Sequence, residues 1–395
     1  LYMDLFQRAR RSRIDAPVKP LAIQTLEERH WELPKWRLDH LMRMTDSTGL
    51  MQHARFTLPN YADGYCTDDN ARALLFAMYL EEMGLDTPET RRASTRYAAL
   101  VNAAFDSQRG RFRNFLGFDR HWLEEEAMGS DDCFGRAVCA LGACIGRSKQ
   151  RRLQSWATEP FHSALISSSE LTFPRAWAGT LIGIHEYLRR LSGDRLVNEM
   201  RETLTNRLID LYQDNATDDW PWFEDTLSYD NARLPHALIL SGYWTSNAKA
   251  TEIGLRTLGW LSQLQRAPRG HFRPIGSNGF YQRGEQRADF DQQPIEALAM
   301  VSACVEAYRT TEDSRWLNEA RLAFEWFLGR NDLGLELYDA STGGCHDGLQ
   351  EDRINENQGA ESTLAFLLSL AELKQLESSL AAFRRAAEMA DGGQR

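Results

Sequence analysis

The sequence is short of most features that would assign a chemistry at once. None of its six cysteines (Cys66, Cys133, Cys139, Cys144, Cys304 and Cys345) stands in a CxxC pair. Their spacing matches no zinc pattern, and a chain of 395 residues is too large to need disulfide staples. They read as reduced thiols, several on buried helix faces, of a cytosolic protein. Positive charge is in the minority: 46 Lys and Arg stand against 56 Asp and Glu, a net charge of −10. Nucleic-acid binding needs a basic face, so this balance argues against it. The short basic run at 8–13 reads as a solvated tail. No apolar run approaches the ~20 residues of a membrane helix, and no basic-then-apolar leader opens the chain. There is no GxSxG elbow, phosphate loop, nucleotide-sugar Rossmann signature or His/Asp/Glu set with metal-ligand spacing. The expectation is therefore no metal, no cofactor, no nucleic acid and no membrane.

Two further absences concern architecture. Strand-type alternation is rare and short, and no Gly/Ser-rich or Pro-rich linker divides the chain. What is present is helical periodicity and a recurring unit: a polar, aromatic-rich loop running into a helix rich in small residues. The six copies begin at Gly64 (GYCTDDNARALLFAMYL), Gly129 (GSDDCFGRAVCALGACIG), Leu171 (LTFPRAWAGTLIGIHEYL), Leu227 (LSYDNARLPHALILSGYW), Ala288 (ADFDQQPIEALAMVSACVEAY) and Asn355 (NENQGAESTLAFLLSLAEL). Amphipathic helices are predicted at 35–44, 88–105, 152–166, 196–212, 249–264 and 313–328, with charge on one face as solvent-facing helices have. The small-residue helices are apolar nearly all round. An exposed helix followed by a buried one, six times over, predicts an all-α (α/α)6 toroid, a closed double ring of six helical hairpins. An open superhelical array is the competing architecture. The toroid is expected over residues 31–378, after an extension at 1–30 and before a tail at 379–395.

In such a ring the six loops converge on one mouth, and here they concentrate acids, amides, arginine and aromatics. Asp, Asn, Gln and Arg suit sugar hydroxyls, and Trp and Tyr suit the C–H faces of a sugar ring. Cleavage of a glycosidic bond needs two carboxyl groups. The candidate catalytic acids are Asp68, Asp69, Glu224, Asp230, Asp291 and Glu361. Candidate sugar contacts are Asn70, Arg72, Asp132, Arg136, Trp177, Trp222, Tyr229, Asn231, Arg233, Gln292, Gln293, His346, Asp347, Asn357 and Gln358; Arg175 lies in the same loops. A plainer reading stands beside each. Asp68, Asp132, Asp230 and Asp291 fall at helix starts, where Asp is a favoured N-cap worth about 1 kcal/mol. A capping Asp has a lowered pKa and makes a poor general acid. Arg72 and Arg136 can pair with acids one turn earlier, and the tryptophans can be core. Capping does not account for the Asp68–Asp69 doublet, for Glu361 inside a first turn, or for Glu224 between aromatics and Asp225. Glu224 and Glu361 are the positions better placed for a raised pKa.

The segments GYCTDDNARAL, DSQRGRFRNFLGFDRHWLEE, SYDNARLPHALI, FDQQPIEA, FEWFLGRNDLGLELYD and NENQGAESTLAFLLSL resemble a bacterial family. It occurs alone or as the C-terminal part of proteins described as glycosyltransferases, often beside mannoside phosphorylases. More distantly, the pattern and NQGAEST at 357–363 are similar to the six-hairpin (α/α)6 glycosidases and to sugar epimerases on the same ring. The resemblance implies a carbohydrate-active toroid, with a glycosyltransferase domain fused or encoded nearby as a partner. A start at Leu1 fits either a trimmed chain or one separated from such a domain.

The leading expectation is a cytoplasmic glycoside hydrolase acting on a mannoside or glucoside oligosaccharide, inverting by analogy of fold. A phosphorylase would hold phosphate with Arg72, Arg136, Arg233 and His346. An epimerase would need bases flanking one carbon, commonly histidines. A non-catalytic glycan-binding module would use the same loops without an acid of raised pKa.

Overall fold

The structure is a computed structural model that describes residues 32–123 and 129–392, with side chains described as far as residue 382. The extension expected at 1–30, and the basic run within it, lie outside the described residues. Two compact units are present. Of the first, Leu1–Lys35, residues 32–35 are described and have no regular structure. All that follows concerns the second, Trp36–Arg395.

Twelve α-helices are described in it. The first six are α1 (Asp39–Met44), α2 (Thr67–Met83), α3 (Pro88–Ala104), α4 (Asp131–Arg147), α5 (Arg151–Ser167) and α6 (Pro174–Leu188). They are followed by α7 (Arg195–Asn215), α8 (Arg233–Thr245), α9 (Ala248–Leu264), α10 (Pro294–Thr311), α11 (Arg315–Glu325) and α12 (Ala360–Gly392). The even-numbered helices form the inner ring. Each packs on the next, and α12 packs back on α2, which closes the circle. The odd-numbered helices lie outside, α3 on α2, α5 on α4, α7 on α6, α9 on α8, α11 on α10, and α1 on α12. This unit is thus an (α/α)6 toroid, and α12 runs on to Gly392, into the segment expected as a tail.

Composition explains which helix goes where. In α10 every residue from Pro294 to Ala307 is buried, as suits an element apolar all round. In α7 the buried positions are Val197, Leu204, Thr205, Leu208, Ile209 and Tyr212, one stripe of an otherwise charged helix. Small residues let the inner helices come close. A Cβ on Gly142 of α4 would stand 2.1 Å from the carbonyl oxygen of Gly183 in α6, so neither position has room for a side chain.

One outer helix is shorter than its sequence suggests. The pattern at 35–44 yields helix only from Asp39 to Met44. Leu38 offers no capping side chain, and Arg37 is held instead by the turn ahead of α12, donating from Nη1 to the carbonyl of Ala340 at 2.6 Å.

Among the described residues the strands are six antiparallel ladders of two residues each, and every one lies in a loop that enters an inner helix. Tyr65–Cys66 pairs with Phe115–Leu116, and Gly348–Leu349 with Ile354–Asn355. The first of these ties the loop before α2 to the loop before α4, as Thr226–Leu227 with Tyr281–Gln282 ties the loops before α8 and α10; the second folds the loop before α12 on itself. Among the described residues no helix is long and apolar enough to cross a membrane.

Candidate active site

The axis of the ring is not open. All six inner helices contribute to an axial cavity of about 50 Å³, including Arg72, Asp132, Arg136, Arg175, Asp230 and Arg233 near their N-terminal ends and Glu372 and Ser302 deeper in. The guanidinium groups fill the top of the axis. The open pocket lies to one side, between the N-termini of α2 and α12 and the loop before α10. Its volume is about 310 Å³, and Asp68, Asp69, Arg72, Gln293, Asp347 and Glu361 line it together with His53, Asn114 and Ser362. The pocket is smaller than six converging loops suggested, because arginines from four hairpins close the centre.

A single ion-pair network joins pocket and axis. The Arg72 Nη2 donates to Asp69 at 2.9 Å and to Glu361 at 2.8 Å, and lies 3.1 Å from Asp68. Arg136 pairs with Asp68 and, at 3.6 Å, with Asp230. Arg233 reaches Asp230 at 3.2 Å. A second strand of the network starts where the Tyr229 hydroxyl donates to Asp132. Arg175 stacks over the Tyr229 ring and donates to its backbone carbonyl, to Glu224 at 2.7 Å and to Asn231 at 3.3 Å. Asn231 in turn donates to Glu296 at 3.0 Å.

The environment separates the acids. Burial alone would push Asp68 up, but Arg136 and Arg72 outweigh it and hold this carboxyl below its ordinary range. Asp230 is buried too, and Arg233 with Arg136 brings it down in the same way. Asp69 has only a share of Arg72, with Asp68 and Glu361 competing for the same nitrogen. Burial and these two neighbouring carboxylates push it up to about 7. Glu296, fully buried beside neutral amides, is also pushed up to about 7 by burial. Glu361 differs in access: its side chain is 43% exposed, against 4% for Asp69.

The capping reading of the acids does not describe them. The cap of α4 is Ser130, whose hydroxyl accepts from the Cys133 amide. The amides of Thr67 and Asp68 donate to the carbonyl and side chain of Asn114, which comes from the loop before α4. At α8 and α10 no side chain caps the start. Asp68, Asp132 and Asp230 are thereby left to the network.

Other expected contacts are placed elsewhere. Trp222 is fully buried against Phe223 and Trp260. Trp177 donates its indole N–H to the carbonyl of Leu171 at 2.8 Å. Asn70 is buried and ties Leu50 and Cys66 backbone groups to the first turn of α2. Gln292 is buried between Asp332, at 2.7 Å, and the indole N–H of Trp326, at 2.8 Å. Gln358 bonds Asp339 and Thr342. Asp291 and His346 lie outside both cavities, and the backbone carbonyl of Asp291 accepts from Ser277. Gln293 and Asp347 are in the pocket; Asn357 is not among its lining residues and accepts from the Phe56 amide. Glu296, His53, Asn114 and Ser362 were not singled out by sequence. Glu296 carries the same mark as Glu361, an acid in the first turn of an apolar helix. Asn114 carries none, since its role depends on a ladder between distant segments. Among the described residues no group of three or more His, Cys, Asp or Glu is arranged to hold a metal ion.

No family model matches this chain, and no curated protein is similar to it in sequence. Solved structures are similar in fold. A sugar epimerase from a ruminal bacterium superposes with a TM-score of 0.64 at 12% identity, covering 85% of this chain and 95% of that one. A cellobiose 2-epimerase from Bacillus thermoamylovorans gives 0.65 at 11% identity, over 85% and 96%. A cellulase from C. cellulolyticum gives 0.54 at 10% identity, over 82% and 86%.

Proposed function

We propose that this protein is a carbohydrate-active enzyme that hydrolyses a glycosidic bond, with Asp69 as the proton donor and Glu361 as the partnering carboxylate. The observation that carries this reading is the pair itself. Two carboxyls in one pocket share one guanidinium nitrogen, yet one is buried and protonated up to about 7 while the other is exposed to the pocket. Two acids whose surroundings drive them apart are what general-acid cleavage of an acetal requires. Asp69 would protonate the leaving oxygen, and Glu361 would face the anomeric carbon. Arg72 holds both in register. The sugar enzymes among the similar folds favour the same substrate class.

The alternatives fit less well. A phosphorylase needs free positive charge, and Arg72, Arg136, Arg175 and Arg233 are each already paired with a carboxylate. An epimerase working through two histidines needs them across one cavity. Among the described residues His53 is the histidine of the pocket, and His236 belongs to the axial cavity, where burial lowers it to about 3.

The bonded oxygens of Asp69 and Glu361 lie at most 5.7 Å apart, since both are held by Arg72 Nη2 at 2.9 and 2.8 Å. Retaining glycosidases place their carboxyls about 5–5.5 Å apart and inverting ones about 6.5–9.5 Å. On the shorter spacing we read retention rather than the inversion expected from fold analogy: Glu361 attacks the anomeric carbon as the glycosidic C–O bond breaks and Asp69 gives its proton to the leaving oxygen, and a water deprotonated by Asp69 then releases the sugar from Glu361. The test is a screen of manno- and gluco-oligosaccharides, with products followed by mass and by anomeric configuration in proton NMR. Sugar release with retained configuration, lost by about 10²–10⁴-fold in D69N and abolished in E361Q, is the expected result. Turnover that survives both substitutions would sink this assignment.

A further inference from the structure

The pocket has a neighbour. Across Asn355, which lines both, lies a groove of about 590 Å³ at the rim of the ring. Phe56, Gln350, Asp352, Arg353, Glu356 and Asn357 line it, with Leu335. Phe56 is the unusual member. It is 55% exposed, and it opens the two-residue turn between the paired segments Ala54–Arg55 and Leu58–Pro59, where its φ of +55° is that of a tight hairpin turn and would suit glycine. The turn is also tied down from outside. The Phe56 amide donates to Asn357 Oδ1 at 2.8 Å, and its carbonyl accepts from the Gln358 amide at 2.9 Å. Both partners belong to the loop that leads into α12 and Glu361. Packing does not demand a phenylalanine there, because the ring faces solvent, and glycine would suit the backbone better. What sets the position apart is therefore the side chain the turn presents: an exposed aromatic face, on a turn fixed from both sides, beside a pocket.

The groove repeats the chemistry of the pocket's own loops, with Asp352 and Glu356 as its acids. An aromatic face for the C–H side of a sugar shares the groove with the amides of Gln350, Asn355 and Asn357, the Arg353 guanidinium and two carboxylates for its hydroxyls. We infer that the groove at Phe56 is a second sugar subsite, continuous with the pocket through Asn355, and that the chain takes oligosaccharides long enough to fill both. This rests on the carbohydrate reading proposed above and adds to it the length of the substrate and the residue that selects it. The next sugar leaves the pocket past Asn355 and stacks on Phe56.

The test is equilibrium binding of manno- and gluco-oligosaccharides, from disaccharide to pentasaccharide, measured by calorimetry in an E361Q background so that the ligand is not consumed. The pentasaccharide of the preferred series should bind more tightly than the disaccharide. Phe56→Gly should cut that length advantage by about tenfold, the scale of one aromatic stacking contact, and Phe56→Trp should keep it. Thermal unfolding separates this from damage to the fold. F56G should melt no lower than its parent, since it relieves the left-handed strain. Should F56G fail to fold, Phe56→Asn removes the ring with a residue that tolerates the same φ. A length advantage that survives loss of the ring, or a parent protein that binds all lengths alike, overturns the subsite while leaving sugar binding in the pocket intact. A parent that binds neither disaccharide nor pentasaccharide overturns the carbohydrate reading and this subsite with it.

Discussion

At the scale of single residues the site turns on Arg72. One of its nitrogens serves Asp68, Asp69 and Glu361, while its Nε and Nη1 are buried without a hydrogen-bond partner. Removing the guanidinium would leave three acids around an uncompensated space. We expect Arg72→Ala to destabilise the protein by about 3–5 kcal/mol in denaturant unfolding, the range for breaking a buried ion pair from one side, and to abolish activity. Lysine should restore only part of either, because a point charge cannot reproduce the planar fork. A stable and active R72A would remove Arg72 from the centre of the site. The doublet Asp68–Asp69 and the arginine a turn later were legible in the sequence as more than a cap. Which aspartate keeps its proton was not. That choice is made by Arg136, which arrives from another hairpin, neutralises Asp68 and leaves Asp69 to compete for Arg72. The same limit misplaced Trp222, Gln292 and Asn70. Aromatic and amide side chains in a polar loop suit a sugar and suit a buried loop equally well, and only the fold shows which groups they face.

At the scale of elements the sequence spoke clearly for helices and poorly for their ends. The small-residue, apolar character of the inner helices follows from the space available to them, and the close approach of α4 to α6 is the sharpest case. We expect Gly142→Val to force those two helices apart against the carbonyl of Gly183. Overpacking costs typically about 1–3 kcal/mol, and the rigid backbone on the far side puts this substitution at the upper end. The melting temperature should drop by several degrees, and Gly142→Ala should lie between. Equal stability of all three proteins would mean that the ring opens here without cost. Helix starts were harder to read because their amides are satisfied from a distance. Asn114 serves α2, while the Gln52 carbonyl and Asp347 serve the start of α12. Partners contributed by other loops free the local acids for the ion-pair network, so a rule of local capping describes the wrong residues. The two-residue ladders that bring those partners into reach are too short to leave an alternation in the sequence.

At the scale of the whole molecule, closing a ring of helices places titratable groups from six hairpins in one low-dielectric centre, and stability then depends on pH in a way no single segment discloses. Asp69 and Glu296 are pushed up to about 7. The folded chain keeps protons there that the unfolded chain releases near pH 4, so their contribution to stability falls as pH rises from about 4 to about 7. His236 and His185 act in the opposite sense. Burial lowers them to about 3 and about 4, and the unfolded chain gains protons that the folded chain refuses as pH drops below about 6.5. Asp68, Asp230 and Glu186, held low by their arginines, matter only below about pH 4. The two buried pairs therefore oppose each other between about pH 4 and 6.5, and the carboxyl slope stands alone just above. Glu296→Gln mimics the protonated acid and removes one of the two raised carboxyls without touching the pocket. Its melting temperature, measured against the parent by calorimetry, should gain steadily on the parent's as pH rises from 5 to about 8. It is the change in that difference that carries the argument, because a constant offset at every pH would show only altered packing at Asn231 and would mean that Glu296 ionises in the folded protein at its ordinary pH.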